Sequence, residues 1–211
     1  MAPTGVADPA PLVDAFLDTA LRAGLRRAVL LSSSAVAAGD PGLGEVHALV
    51  RERVPEWAVL RPSWFQQNVT GGHPLARSLR EEGRIVTATG RGRLALVDAR
   101  DIAAVAVRAL LDEPSHDTEH VLTGPEALSW SDVAELVSRA RGRTVRHEAV
   151  SVEELTRRWV AAGAPEAFAR SLAALDGAVA RGAEDRTTDT VQRLTGRPPR
   201  ALRDLLAETP A

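Results

Sequence analysis

The stretch Trp57-Ala-Val-Leu-Arg-Pro-Ser-Trp-Phe-Gln-Gln-Asn68 decides the fold. Ala58 to Leu60 is a short apolar run of the kind a buried strand shows. Pro62 then removes a backbone donor and forces an exit from the sheet. Ser63, Trp64, Phe65, Gln66, Gln67 and Asn68 follow at once, so two aromatic rings and several amides sit where a strand ends. In open parallel sheets that C-terminal rim is where ligands bind. Local chemistry admits two readings: a strand that stops at a proline with its aromatics in the core, or one side of a ligand site.

The pattern around this stretch predicts parallel crossovers. Upstream, Asp8-Pro9 opens a helix whose face is marked by Leu12, Phe16, Ala20 and Leu21, with Gly24 as the stop. Ala28 to Ser33 (AVLLSS) is a second strand, dense enough in apolar residues to be covered on both faces. A loop with glycines at 39, 42 and 44 leads into a helix with Val46, Leu49 and Val50 inward. Helix then strand, twice over, is a βα crossover pattern. Downstream come a short helix carrying Leu75 and Leu79, and strands at Ile85–Ala88 and Leu94–Val97. A helix then buries Ile102, Val105, Ala106, Ala109 and Leu110, and a strand follows at His120–Thr123. Ser129 with Asp132 spells a capping box, and Val145–Val150 reads as a last strand. From Val152 the pattern is helical, with Leu155, Trp159, Phe168, Leu172, Leu175 and Val179 as inward positions. Phe16, Trp130, Trp159 and Phe168 are expected in the core.

Composition narrows the chemistry. The 211 residues have a net charge of -2, which favours neither nucleic acid nor an anionic membrane surface as partner. No apolar run approaches the ~20 residues of a membrane helix, and the first residues, MAPTGVADPAP, lack the basic and apolar blocks of a signal peptide. A cytoplasmic protein is expected. There is no cysteine, lysine or tyrosine; all 26 basic residues are arginine. Schiff bases, the Walker lysine, thiolate chemistry and a Tyr/Lys proton-transfer pair are therefore excluded. Hydride transfer is not, because a cofactor carries it.

The motifs divide in the same way. No GxGxxG is present, and Gly39, Gly42 and Gly44 read as a connecting loop rather than a phosphate cradle. His116-Asp-Thr-Glu-His120 spells a zinc-protease pattern, but that chemistry needs a helix and a strand begins inside the string, so no metal is expected. Ser32, Ser33 and Ser34 close the AVLLSS strand; their hydroxyls either bond a ligand or cap the loop. Asp98 and Asp101 read as helix-start carboxylates, and Arg61 as one half of a structural ion pair.

The runs RAVLLSSSAV, LRPSWFQQN, GRIVTATGRGRLALVDARDIAAVAVRAL and HVLTGPEALS together resemble the NmrA-like atypical short-chain dehydrogenases, especially the festuclavine and agroclavine dehydrogenase branch and its bacterial relatives. The likeness runs from about Pro3 to about Glu208. It implies an α/β fold: a partial Rossmann-type doubly wound parallel sheet with a small, mostly helical C-terminal subdomain. The expected division is residues 1–124 as the C-terminal half of an NAD(P)-binding domain and 125–211 as the substrate side. It implies an NAD(P)-dependent reductase of a small unsaturated, quinone or iminium compound, with NADP ahead of NAD and a small molecule as partner. The alternative is a non-catalytic NAD(P)- or ligand-binding sensor, or a degenerate remnant. Matched by position, Ser32, Ser33, Pro62 and Ser63 fall on the cofactor side, and Trp64 and Asn68 on the substrate side. No catalytic residue is assigned. The family's fold starts with a glycine-rich turn and further βα units of ~30 residues each, so the resemblance also implies an N-terminal truncation.

Overall fold

The computed structural model describes residues 8–209; the signal-peptide reading of the first seven residues lies outside them. The described chain is α/β and forms two compact units. The first runs through Ser63 and adds Arg100–Leu122 and Thr188–Pro198. The second comprises Trp64–Ala99, Thr123–Thr187 and the chain from Pro199. The chain thus passes from one unit to the other inside the quoted stretch.

The first unit is built on three parallel strands, β1 (Arg27–Leu31), β2 (Glu56–Pro62) and β3 (Thr118–Leu122), in the order β1-β2-β3. Leu31 lies opposite Leu60, and Leu60 opposite His120. Helix α1 (Ala10–Arg22) precedes β1, and α2 (Leu43–Arg53) connects β1 to β2. One face of β1 and β2 presents Leu30 and Val59 to Leu17, Val46, Val50 and Val54, an apolar cluster that joins strand and helix. Asp8 does serve the start of α1: its carboxylate accepts from the Ala10 N–H. Of the expected inward face of α1, Leu21 packs inward, but Leu12 and Phe16 do not. Leu17 is buried with Ala10, Val13 and Leu21 packed beside it, while Leu12 and Phe16 are 55% and 65% exposed. On the helix α3 (Ala99–Leu111), Ile102, Val105 and Ala109 are buried as expected, but Leu110 is exposed.

The second unit has a parallel pair, β4 (Arg84–Thr87) with β5 (Arg146–Ala149), and an antiparallel pair at Arg93–Leu94 and Leu128–Ser129. Its core gathers Leu79, Ile85, Leu94, Leu96, Trp130, Val133, Val137, Val145 and Leu202. The Ser129–Asp132 capping box forms in both directions. Helix α4 (Glu166–Ala180) buries Ala169, Ala173, Asp176, Gly177 and Val179, and turns Phe168 outward against expectation. The buried stripe runs through Ala169, Ala173, Asp176 and Gly177, and Phe168 stands one position, about 100°, off it. Where α4 meets the Gly90–Gly92 turn the approach is close: a Cβ on Gly92 would stand 2.2 Å from the Val179 carbonyl oxygen.

Candidate functional site

The first unit's parallel ladder continues past its strands. Ser32 N–H donates to Leu60 O, Ser34 N–H to Pro62 O, and Ser63 N–H to Leu122 O. The ends of β1, β2 and β3 are thereby held in register, and the serines after β1 lie alongside the Arg61–Ser63 exit of β2. Side chains alternate along a strand. Ser32, two residues beyond Leu30, and Ser63, four beyond Val59, therefore continue the stripe that begins in the α2-facing apolar cluster.

At the rim this stripe changes from apolar to polar. Arg61 donates from Nη1 to Glu119 Oε2 at 2.7 Å, from Nη2 to Ser34 O at 3.2 Å and from Nε to Ser33 O at 3.4 Å. Glu119 Oε1 lies 3.1 Å from Nε2 of fully buried His47. Burial is the main cause that pushes the His47 pKa below its ordinary value, so the imidazole is neutral near pH 7. Ser33 spends its hydroxyl locally, accepting from the Ala35 N–H. The Ser32 and Ser63 hydroxyls are different: both are buried, and among the described residues neither has a hydrogen-bond partner. Buried polar groups are nearly always paired, and two unpaired hydroxyls on neighbouring strand ends are suited to a ligand that brings its own donor and acceptor.

The remaining residues of the quoted stretch belong to the second unit. Trp64 is half-buried on the main apolar cluster, and its carbonyl accepts from Val97 N–H. Gln66 is fully buried, and its Nε2 bridges Leu96 O at 3.0 Å and Arg200 O at 2.8 Å; its Oε1 has no donor. Gln67 donates to Asp98 Oδ1 and accepts from Ala99 N–H, both at 2.9 Å. Asp98 also lies 3.4 Å from Arg200 Nε. Gly124 closes this cluster, since a Cβ there would stand 2.0 Å from Leu96 O. Asn68 is half-buried in the short helical turn Gln67–Thr70. The structure therefore brings Ser32, Ser33, Pro62 and Ser63 together in one unit and holds Trp64 and Asn68 in the other. Arg61 makes the structural ion pair expected of it, with Glu119; the expectations missed Glu119 and His47 as neighbours of the rim.

The His116–His120 string is a hydrogen-bonded pair: His116 Nδ1 and His120 Nε2 are 2.9 Å apart, and His116 Nε2 is 3.1 Å from Asp112. Burial, then the charges of His116 and Arg193, push the His120 pKa down to about 4.

A parallel sheet with polar groups gathered at its C-terminal strand ends defines a Rossmann-like α/β protein. The chain belongs to the NmrA-like family, whose profile matches residues 45–192. It is 49% identical over 98% of its length to an uncharacterized oxidoreductase, YesF, of Bacillus subtilis (strain 168), of which it covers 72%. It is 39% identical over 96% of its length to agroclavine dehydrogenase of Claviceps fusiformis, covering 71% of that chain. Among solved structures, an NADPH-dependent quinone oxidoreductase of Escherichia coli complexed with NADPH superposes with a TM-score of 0.81. The match covers 98% of this chain and 74% of the other at 21% identity, which speaks to fold alone. Among the described residues, no helix is long and apolar enough to cross a membrane.

Proposed function

We propose that this chain is an NAD(P)-dependent reductase of a small unsaturated compound, of quinone or iminium type, and that its first unit holds the nicotinamide end of the cofactor. The observation that carries this reading is the pair of buried, unpartnered hydroxyls at Ser32 and Ser63. A nicotinamide carboxamide offers an NH2 group, with two N–H donors, and a carbonyl acceptor, which suits two hydroxyls that can each give and accept. The relatives' names point the same way. The 211 residues carry no glycine fingerprint for a pyrophosphate, so the rim's contribution is to orient the ring rather than to anchor the whole dinucleotide.

When bound, the nicotinamide supplies the hydride. Ser32 and Ser63 would hold the carboxamide by their hydroxyls and so orient the ring. Pro62 supplies a carbonyl to the Ser34 amide and keeps its own nitrogen out of the ladder, and Ser33 shapes the turn. Trp64 and Asn68 are the substrate-side residues of this proposal. With no lysine or tyrosine in the chain, Ser32 is a hydrogen-bonding group and not an obligate acid, because nothing lowers its hydroxyl pKa.

The test is an amide-resonance titration of the isotopically labelled chain with NADPH. Affinity near the millimolar range, about -4 kcal/mol, is expected from the nicotinamide end alone. Shifts should centre on Ser32–Ala35 and Arg61–Ser63. Shifts confined to other segments, or none at saturating cofactor, would overturn the reading.

A further inference from the structure

We propose that Arg61 is the positioning residue of the rim: its guanidinium clamps the turn after β1 and so aims the Ser32 hydroxyl. The role rests on the reading of the rim as a nicotinamide site; the clamp itself is a property of the apo chain. The side chain is only 19% exposed, and each of its three nitrogens has its own acceptor. Two of these acceptors, the carbonyls of Ser33 and Ser34, are the peptide oxygens that follow Ser32 directly. The third is Glu119 on β3. One rigid fork thus ties the turn after β1, across β2, to the far strand.

The turn is held on its other side as well. Ser34 N–H donates to Pro62 O at 3.0 Å, so the peptides after Ser32 are fixed through both N–H and C=O. Glu119 is held in turn, with Arg61 on one oxygen and His47 of α2 beside the other. A serine Oγ takes one of three staggered χ1 positions, and the backbone of that residue fixes where in space those positions lie. An unpartnered hydroxyl cannot hold itself in place. Its aim must come from the groups that hold the adjacent peptides: Leu60, which accepts from the Ser32 N–H, and, on the turn that follows, Pro62 and Arg61. Lysine cannot replace arginine here, because a single ammonium cannot span two carbonyls and a carboxylate in this fork geometry.

The experiment compares the wild-type chain with Arg61→Met and Arg61→Lys by amide hydrogen exchange and by NADPH titration. In Arg61→Met, the Ser34 amide should exchange at least about tenfold faster, while the Val59 and Leu60 amides inside β2 keep their protection. NADPH affinity at the rim should fall about tenfold, the worth of one well-placed hydrogen bond. Arg61→Lys keeps the Glu119 ion pair and serves if the methionine variant fails to fold; it should loosen Ser34 while β2 stays protected. Unchanged Ser34 exchange in both variants overturns the clamp. Faster exchange with unchanged NADPH affinity overturns its positioning role. A wild-type chain that shows no NADPH shift at Ser32 overturns the reading of the site instead, and the exchange data then decide the clamp alone.

Discussion

Ser63 and Gln66 stand three residues apart in the sequence, both buried, and the molecule uses them in opposite ways. Ser63, with Ser32, keeps a hydroxyl without a partner at the rim of the first unit. Gln66 spends its Nε2 on two carbonyls of the second unit's backbone, although its Oε1 lacks a donor among the described residues, and Gln67 spends its amide on Asp98 and Ala99. A side chain whose hydrogen bonds tie distant backbone together serves the fold even with one atom idle. A hydroxyl with no such bond is a cost to the fold that a ligand or an ordered water removes. Mutations at the two places should therefore part company: stability should fall at the glutamines and hold at the serines.

The largest effect is expected at Gln66. Gln66→Ala strips one buried and one part-buried carbonyl of their donor and leaves a void, which should cost about 2–4 kcal/mol in urea unfolding. A loss below about 1 kcal/mol would show that Leu96 and Arg200 find other donors. Gln67→Ala should cost less, about 1–2 kcal/mol, because it removes one bond to Asp98 and one from Ala99.

The two units also differ in how acid and base should act on them. In the first, the folded-state pKa of His120 is depressed to about 4 from its ordinary 6.5. Its contribution is present above the ordinary value and should be lost as pH falls from about 6.5 toward 4. In the second, burial raises the carboxyl pKa of Asp176 against the single opposing bond from the Ala88 N–H. Its contribution is present below the ordinary 3.8 and should be lost as pH rises through the raised folded value. Asp176→Asn keeps an acceptor for Ala88, so it should stabilise the chain at neutral pH, with a gain that vanishes in acid. Thermal melts across pH check this, and a gain of equal size at all pH values would contradict it.

The rim was legible in the sequence for a physical reason. β1 and β2 are short apolar runs, one closed by three serines and the other by a proline, and a parallel sheet brings such ends together. The sequence left open which serine caps the loop and gave Arg61 an ion pair without a partner; that the cap is Ser33, that the partner is Glu119, and the burial of Gln66 were not legible. Gln66 finds its acceptors 30 and 134 residues away, beyond any local pattern. The face of α1 failed for another reason. Apolar residues at 10, 12, 13, 16, 17, 20 and 21 cover more than one stripe of the helix. Periodicity alone cannot choose between Leu12–Phe16 and Val13–Leu17; packing on the cluster around Val46 and Val59 chooses the second. Phe16→Ser should then change stability by no more than about 0.5 kcal/mol, and a loss of several times that in thermal unfolding would return Phe16 to the core.

The most direct test of the account is a paired measurement on Ser32→Ala and Ser63→Ala: urea unfolding and NADPH titration on the same samples. Removing an unpartnered buried hydroxyl should leave stability unchanged or raise it by up to about 1 kcal/mol, while each substitution weakens NADPH binding about tenfold. A loss of stability with cofactor affinity unchanged would show that these hydroxyls serve the fold, and would contradict the assignment of the rim as a ligand site.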